Sequence, residues 1–170
     1  MVTTKSVLIW TLVAFVVGLI TFPLYRKGKL RDGTFIGLPL FAFYFAFVLT
    51  ITIIERIPFK DARYQLEVFW TYKAIQAGRT ELKAEIFWNY ILFIPIGILI
   101  SMILPKKFKW LSIVISLLLS SGIEIAQLLF HRGLFEFDDI IHNTLGAMIG
   151  ILIYLTVSWT VNRINGKKTK

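Results

Sequence analysis

The chain has 170 residues, of which 56% are hydrophobic and 17% are charged, and its mean hydropathy is +0.72. A soluble domain of this size cannot cover that much apolar surface, so the composition excludes an ordinary soluble protein and predicts an integral membrane protein. The formal net charge of +9 does not indicate nucleic-acid binding, because the basic residues lie in short segments between apolar runs, where they set membrane topology.

Five apolar segments predict five membrane spans, because each is close to the roughly 20 residues that a helix needs to cross a bilayer. The runs are continuous and lack period-two alternation, so helices are predicted and not strands. We therefore predict an all-α integral membrane protein, a bundle of five transmembrane helices that forms a single membrane domain over residues 1–170. The predicted spans are 7–24, 35–54, 86–104, 110–130 and 140–161.

The distribution of lysine and arginine predicts the orientation of the chain. Basic residues are concentrated in segments 25–34 and 105–109 and in the C-terminal tail, whereas the short loop 131–138 contains only Arg132. The positive-inside rule places the basic segments in the cytoplasm. It places the N-terminus and loop 131–138 outside the cell, and the C-terminus in the cytoplasm.

Segment 55–85 is the one stretch long enough to form structure outside the bilayer. Its six basic and five acidic residues weaken the positive-inside rule there, since that rule applies best to short loops. Apolar and small residues recur at helical spacing between Leu66 and Ala77, which predicts a short amphipathic helix in the outer loop. Two interpretations stay open, a helix on the membrane surface and a helix packed on the bundle.

Polar residues in the fifth span share one helix face. Asp139, Asn143, Gly146 and Gly150 are spaced by four, three and four residues, and the two glycines predict close approach of a neighbouring helix. One aspartate could cap the helix N-terminus. Two adjacent acids, with Asp138 beside Asp139, exceed what a cap needs.

The fourth span contains a carboxylate, Glu124, about two helical turns from its predicted outer end. An ionised carboxylate there is costly unless it is paired, so intramembrane acids default to a functional interpretation. We predict Arg132 as the counter-charge, with His131, His142 and Asn143 as further candidate partners. A purely structural Glu–Arg pair is the alternative.

Together these faces predict a polar cavity that opens to the outer side. Such a cavity could hold a lipid head group, bind a divalent cation or perform acid–base chemistry. We predict no metal and no cofactor, and the histidines lack a metal-binding spacing. Covalent catalysis is not predicted either, because no nucleophile stands beside a base. The predicted ligand-binding residues are Asn89, Glu124, Gln127, Arg132, Asp138, Asp139 and Asn143.

Several motifs resemble those of the VanZ-like family of membrane proteins over about residues 45–157. The resemblance implies a small, multi-pass protein of the bacterial cell membrane, in a family whose named member is associated with teicoplanin resistance. The sequence departs from the family pattern at His142, where an aliphatic residue is usual, and at Glu136, where aspartate is expected. The matching stretches are Ile57-Pro-Phe59, Asn89-Tyr-Ile-Leu-Phe-Ile-Pro-Ile-Gly97, Glu124-Ile-Ala-Gln127, Arg132-Gly-Leu-Phe-Glu-Phe-Asp-Asp139 and Asn143-Thr-Leu-Gly-Ala-Met-Ile-Gly150.

From the resemblance and the cavity we expect the protein to engage a lipid-linked cell-envelope component, or a lipoglycopeptide such as teicoplanin. It would thereby contribute to glycopeptide resistance. The expected partners are membrane lipids and possible cell-wall precursors, with no nucleic acid. The alternative is an intramembrane enzyme, in one version metal-dependent, that modifies a lipid-linked envelope substrate.

Overall fold

The structure is a computed structural model that describes residues 3–168, with the side chains of residues 3–165. Its five long apolar helices confirm the predicted all-α membrane architecture. Helix α2 continues into a π-helix, Thr50–Ile54, and the short helix α3 lies in the loop predicted to contain it. The helices are α1 Thr4–Arg26, α2 Asp32–Leu49, α3 Trp70–Gln76, α4 Leu82–Ile103, α5 Leu111–Leu129 and α6 Phe137–Lys168.

The predicted spans differ from the helices mainly at their ends. Helix α4 begins at Leu82, where position 86 was predicted, and α6 begins at Phe137, where position 140 was predicted. An apolar run marks only the part of a helix that lies in hydrocarbon. The first turns of α4 and α6 carry Glu85, Asp138 and Asp139, so they fall outside that run.

Helices α4 and α6 form the tightest contact in the bundle, and glycine makes it possible. A Cβ atom added at Gly97 of α4 would lie 2.0 Å from the Ala147 carbonyl oxygen. A Cβ atom added at Gly150 of α6 would lie 2.0 Å from the Ile94 carbonyl oxygen. The close approach predicted for the α6 glycine pair is therefore confirmed, with α4 as the neighbour.

A two-stranded parallel ladder, which the sequence did not predict, joins the two loops at one end of the bundle. Strand β1 (Arg63–Gln65) pairs with β2 (Leu134–Glu136), with Arg63 opposite Leu134 and Gln65 opposite Glu136. The ladder fixes the long loop 55–81 against the start of α6. We call the end of the bundle that carries β1, β2 and α3 the strand end, and the opposite end, with Lys106 and Lys107, the lysine end.

Candidate functional site

A cavity of about 820 Å³ opens at the strand end. Its walls come from loop 55–81, the first turns of α4, strand β2 and the start of α6. Four arginines, three carboxylates and three aromatic rings line it. They are Arg56, Arg63, Arg79 and Arg132, Glu85, Glu136 and Asp139, and Phe59, Trp70 and Trp88. We call this the strand-end cavity.

Two of the cavity arginines are positioned by aromatic rings from the same loop. The Arg63 guanidinium lies 4.1 Å from the centre of the Phe59 ring. The Arg79 guanidinium lies 5.6 Å from the centre of the Trp70 ring, and its Nε donates to Glu81 at 3.0 Å. Stacking on a ring leaves the edge of the guanidinium available to donate hydrogen bonds. The rings therefore orient these side chains and leave N–H groups that can bind a ligand.

Arg132 closes the end of the second span, where the sequence analysis expected it to neutralise Glu124. One guanidinium nitrogen donates to the carbonyl oxygens of Ile53 and Arg56, each at 3.1 Å, and to that of Ile54. The last carbonyls of a helix have no partner within it and attract a cation. The predicted Arg132–Glu124 pairing therefore gives way to helix capping.

Glu124 instead fixes the position of strand β2. Its side chain is 1% exposed, and Oε2 accepts a hydrogen bond from the Glu136 backbone N–H at 3.0 Å. Arg56 is the cation that attracts both Glu124 and Asp139 electrostatically. The counter-charge is thus an arginine of loop 55–81, which lines the strand-end cavity.

Asp138 and its neighbour Asp139 have different structural roles. The Asp138 carboxylate is 1% exposed and accepts backbone N–H groups of Phe69 at 2.6 Å and Thr71 at 2.9 Å. It therefore caps the N-terminus of α3, a helix distant in sequence. Asp139 lines the cavity and accepts a hydrogen bond from Asn89 Nδ2 at 2.7 Å.

The two remaining predicted amides bond within the bundle. Gln127 Nε2 donates to the Thr52 carbonyl oxygen at 3.2 Å, inside the π-helix that ends the second span. Asn143 Nδ2 donates to Ser120 Oγ at 3.0 Å, which links α6 to α5. Both amides are buried, so they support the helices beneath the strand-end cavity.

The structure thus divides the predicted ligand-binding residues into two groups. Asn89, Arg132 and Asp139 line the strand-end cavity in addition to making the contacts described above, whereas Glu124, Gln127, Asp138 and Asn143 do not line it. Ligand binding by any of them stays a prediction. The other residues that line the cavity were not predicted as ligand-binding, although arginines interleaved with aromatic residues along the loop were an available signal. Among them are Arg56, Arg63, Arg79, Glu85 and Trp88.

The buried Glu136 forms a carboxyl pair with the half-buried Asp139. The Glu136 side chain is largely buried and hydrogen bonds to the Asp139 carboxylate. Burial, followed by the negative charges of Asp139, Glu85 and Asp138, raises the pKa of Glu136 to about 8. Glu136 is therefore protonated at neutral pH and can donate a proton or a hydrogen bond.

The raised pKa of Glu136 predicts a protein that loses stability as the pH rises. Because the folded state holds this proton more tightly than the unfolded state, the stabilisation is complete below the usual pKa of 4.5 and is lost up to about pH 8. We expect the melting temperature in detergent to fall by on the order of 5 °C between pH 5 and pH 8.5. Glu136→Gln should flatten this dependence; an equally steep decline in that variant would contradict the assignment.

Among residues 3–168, no group of three or more histidine and acidic side chains is arranged to hold a metal ion. The guanidinium and carboxyl groups that line the strand-end cavity suit an anionic ligand that also carries hydrogen-bond donors.

Comparison with known proteins identifies the family. The sequence profile of the VanZ/LLP1 family matches residues 9–158, which include most of the first span and all the cavity residues. No curated protein and no solved structure matches the chain. Since the match covers most of the sequence, the chain belongs to the VanZ/LLP1 family.

Proposed function

We propose that this protein binds the anionic head group of a lipid-linked cell-envelope component in the strand-end cavity and thereby contributes to glycopeptide resistance. One observation carries the proposal: three arginines of loop 55–81 and Arg132 line a single cavity at the end of a membrane bundle. Four clustered guanidinium groups repel one another unless anions lie between them. Because Glu136 is protonated at neutral pH, Glu85 and Asp139 offset only part of that charge and leave a net positive cavity for an anionic ligand.

Guanidinium groups match phosphate and carboxylate oxygens in pairs, which gives both strength and orientation. The volume of about 820 Å³ lies within the roughly 300–1,000 Å³ typical of small-molecule sites. Asp139 and Glu85, which also line the cavity, can accept hydrogen bonds from hydroxyl or amino groups. A head group with a phosphate and a sugar or amino-acid part would satisfy both the guanidinium and the carboxylate groups.

The predicted orientation connects this binding to resistance. With the strand end outside, the cavity would face the compartment in which glycopeptides act on lipid-linked wall precursors. If the protein bound a precursor, or the lipophilic drug itself, less drug would bind to the wall.

Teicoplanin susceptibility tests the proposal in cells. We expect the wild-type protein to protect a susceptible bacterial host, and Arg56→Gln and Asp139→Asn to lose most of that protection at matched protein levels. Each variant removes one charge from the cavity wall. Lys29→Gln, which removes an exposed charge at the lysine end, is the matched control and should protect like the wild type.

Two results would contradict the proposal. The first is a well-expressed wild-type protein that gives no protection. The second is full protection by both cavity variants, which would place the determinant elsewhere.

The carboxyl pair supports a second candidate, an intramembrane phosphoester hydrolase. Asp139 would accept a proton from an attacking water, and protonated Glu136 would give one to the leaving oxygen, so that one water and one phosphoester yield an alcohol and a phosphate. Phosphorus NMR of farnesyl diphosphate incubated with the purified protein tests this reaction. A spectrum that stays unchanged after prolonged incubation with the protein would exclude hydrolysis of this substrate class.

A further inference from the structure

A second opening, on the side of the bundle, adjoins the strand-end cavity. It is a groove of about 340 Å³ between α2 and α4. Its apolar part is formed by Phe47 and Ile51 on the second span and by Ile91 and Leu92 on α4. All four lie within membrane spans, so the groove runs along the region that lipid chains occupy.

Three residues line both openings, namely Arg56, Trp88 and Asn89. The strand-end cavity and the apolar groove are therefore neighbours that share one wall. Trp88, at this junction, is 63% exposed, as is usual for tryptophan at a membrane interface. A ligand that occupied both would have its charge near Arg56 and its chain toward Ile91.

The irregular end of the second span shapes this groove. Residues Thr50–Ile54 form a π-helix, in which the Glu55 N–H donates to the Thr50 carbonyl oxygen at 2.8 Å. On the α4 side, the Tyr44 hydroxyl donates to the Leu92 carbonyl oxygen at 3.0 Å. The two helices are thus fastened across the groove, and a π-helix is a common feature of binding sites.

We propose that the groove between α2 and α4 holds the hydrocarbon chain of the lipid whose head group lies in the strand-end cavity. The ligand is accordingly one membrane lipid with a phosphate-bearing head, which enters sideways from the bilayer. This inference rests on the proposed function, because it assumes the anionic head-group site. Charge at Arg56 and apolar surface below it together match an amphipathic anion and not a soluble phosphate.

Three probes separate the head-group site from the chain site. Inorganic diphosphate tests the head-group site alone, farnesyl diphosphate tests both sites, and farnesol tests the groove alone. With purified protein in lipid nanodiscs, we expect farnesyl diphosphate to bind at least about tenfold more tightly than inorganic diphosphate, since two buried methylene groups already supply that factor. Farnesol should compete weakly with farnesyl diphosphate.

Ile91→Trp fills the groove and should reduce farnesyl diphosphate affinity to that of inorganic diphosphate, which should bind unchanged. Ile149→Trp is the matched control, because Ile149 is 42% exposed on α6 and Ile91 is 40% exposed. Equal affinity for the two diphosphates in the wild type would overturn the groove and leave the head-group site intact. Failure of both to bind the wild type would overturn the proposed function.

A diazirine on the farnesyl chain gives a test that needs no substitution. Irradiation of the wild-type complex should label the groove residues Phe47, Ile51 or Ile91, as mapped by peptide mass spectrometry. Labelling confined to the lipid-facing sides of α1 or α6 would overturn the groove.

Discussion

Gly150→Ala is expected to abolish the native packing of α6 on α4. The added methyl carbon would lie 2.0 Å from the Ile94 carbonyl oxygen and 3.1 Å from the Ile98 backbone nitrogen. Backbone atoms of a packed helix cannot move aside as a flexible side chain can, so the two helices must separate. We expect a loss of at least about 3 kcal/mol in the free energy of unfolding, at the upper end of single-site effects.

The measurement is thermal unfolding in detergent, followed by size-exclusion chromatography of the remaining monodisperse protein. Gly122→Ala is the control, because a Cβ atom at Gly122 of α5 meets no atom within 4 Å. That change should keep or raise stability, since alanine favours a helix over glycine by about 1 kcal/mol. If Gly150→Ala and Gly122→Ala have the same melting temperature, the close contact between α4 and α6 is wrong.

Asp138→Ala is expected to release α3 from the bundle. The Asp138 carboxylate accepts the backbone N–H groups of Phe69 and Thr71, and both donors would lose their acceptor. Hydrogen bonds to a charged group contribute about 1.5–3 kcal/mol each. Since α3 is a short helix (Trp70–Gln76), loss of this cap should leave it largely unfolded.

Hydrogen exchange over residues 66–79 measures this release directly. Asp138→Ala should exchange much faster there, and Asp138→Asn should be intermediate because one amide oxygen still accepts. Asp139→Asn changes the neighbouring acid, whose hydrogen bond is to Asn89, and should leave α3 protected. Equal protection in Asp138→Ala and the wild type would show that α3 is held by other contacts.

The sequence contained enough information for the spans and for the helix–helix contact. Apolar length predicts a membrane helix because lipid leaves the backbone few other choices. The spacing of Gly146 and Gly150 also depends on helix geometry alone, and the structure places Ile94 of α4 against Gly150. Features that follow from one segment and its solvent were therefore predictable.

Contacts between distant loops were not predictable in the same way. The β1–β2 ladder has three residue pairs, too few for an alternating pattern to be visible. Arg132 was the nearest cation in sequence to Glu124, yet the unpaired carbonyls at the end of the second span attract it more closely. Arg56 takes the electrostatic role instead, because the fold of loop 55–81 brings it over the acidic cluster.

The two adjacent aspartates show the same limit at a finer scale. Asp138 and Asp139 were both predicted to bind a ligand, because two adjacent acids exceed what a helix cap needs. In the structure, the Asp138 carboxylate accepts a backbone hydrogen bond from α3. The Asp139 carboxylate accepts one from Asn89 and lines the cavity. The position of α3 depends on how the loop folds. For this reason the sequence alone does not show that Asp138 is structural and that Asp139 lines the site.

Native mass spectrometry of protein extracted from bacterial membranes tests the central claim, that the strand-end cavity binds a phosphate-bearing lipid. The wild type should retain one such lipid per chain. A variant that combines Arg56→Gln and Arg63→Gln should lose it, whereas Lys27→Gln with Lys29→Gln at the lysine end should retain it. A wild type without any phosphate-bearing lipid, or equal retention by the cavity variant, would contradict the account.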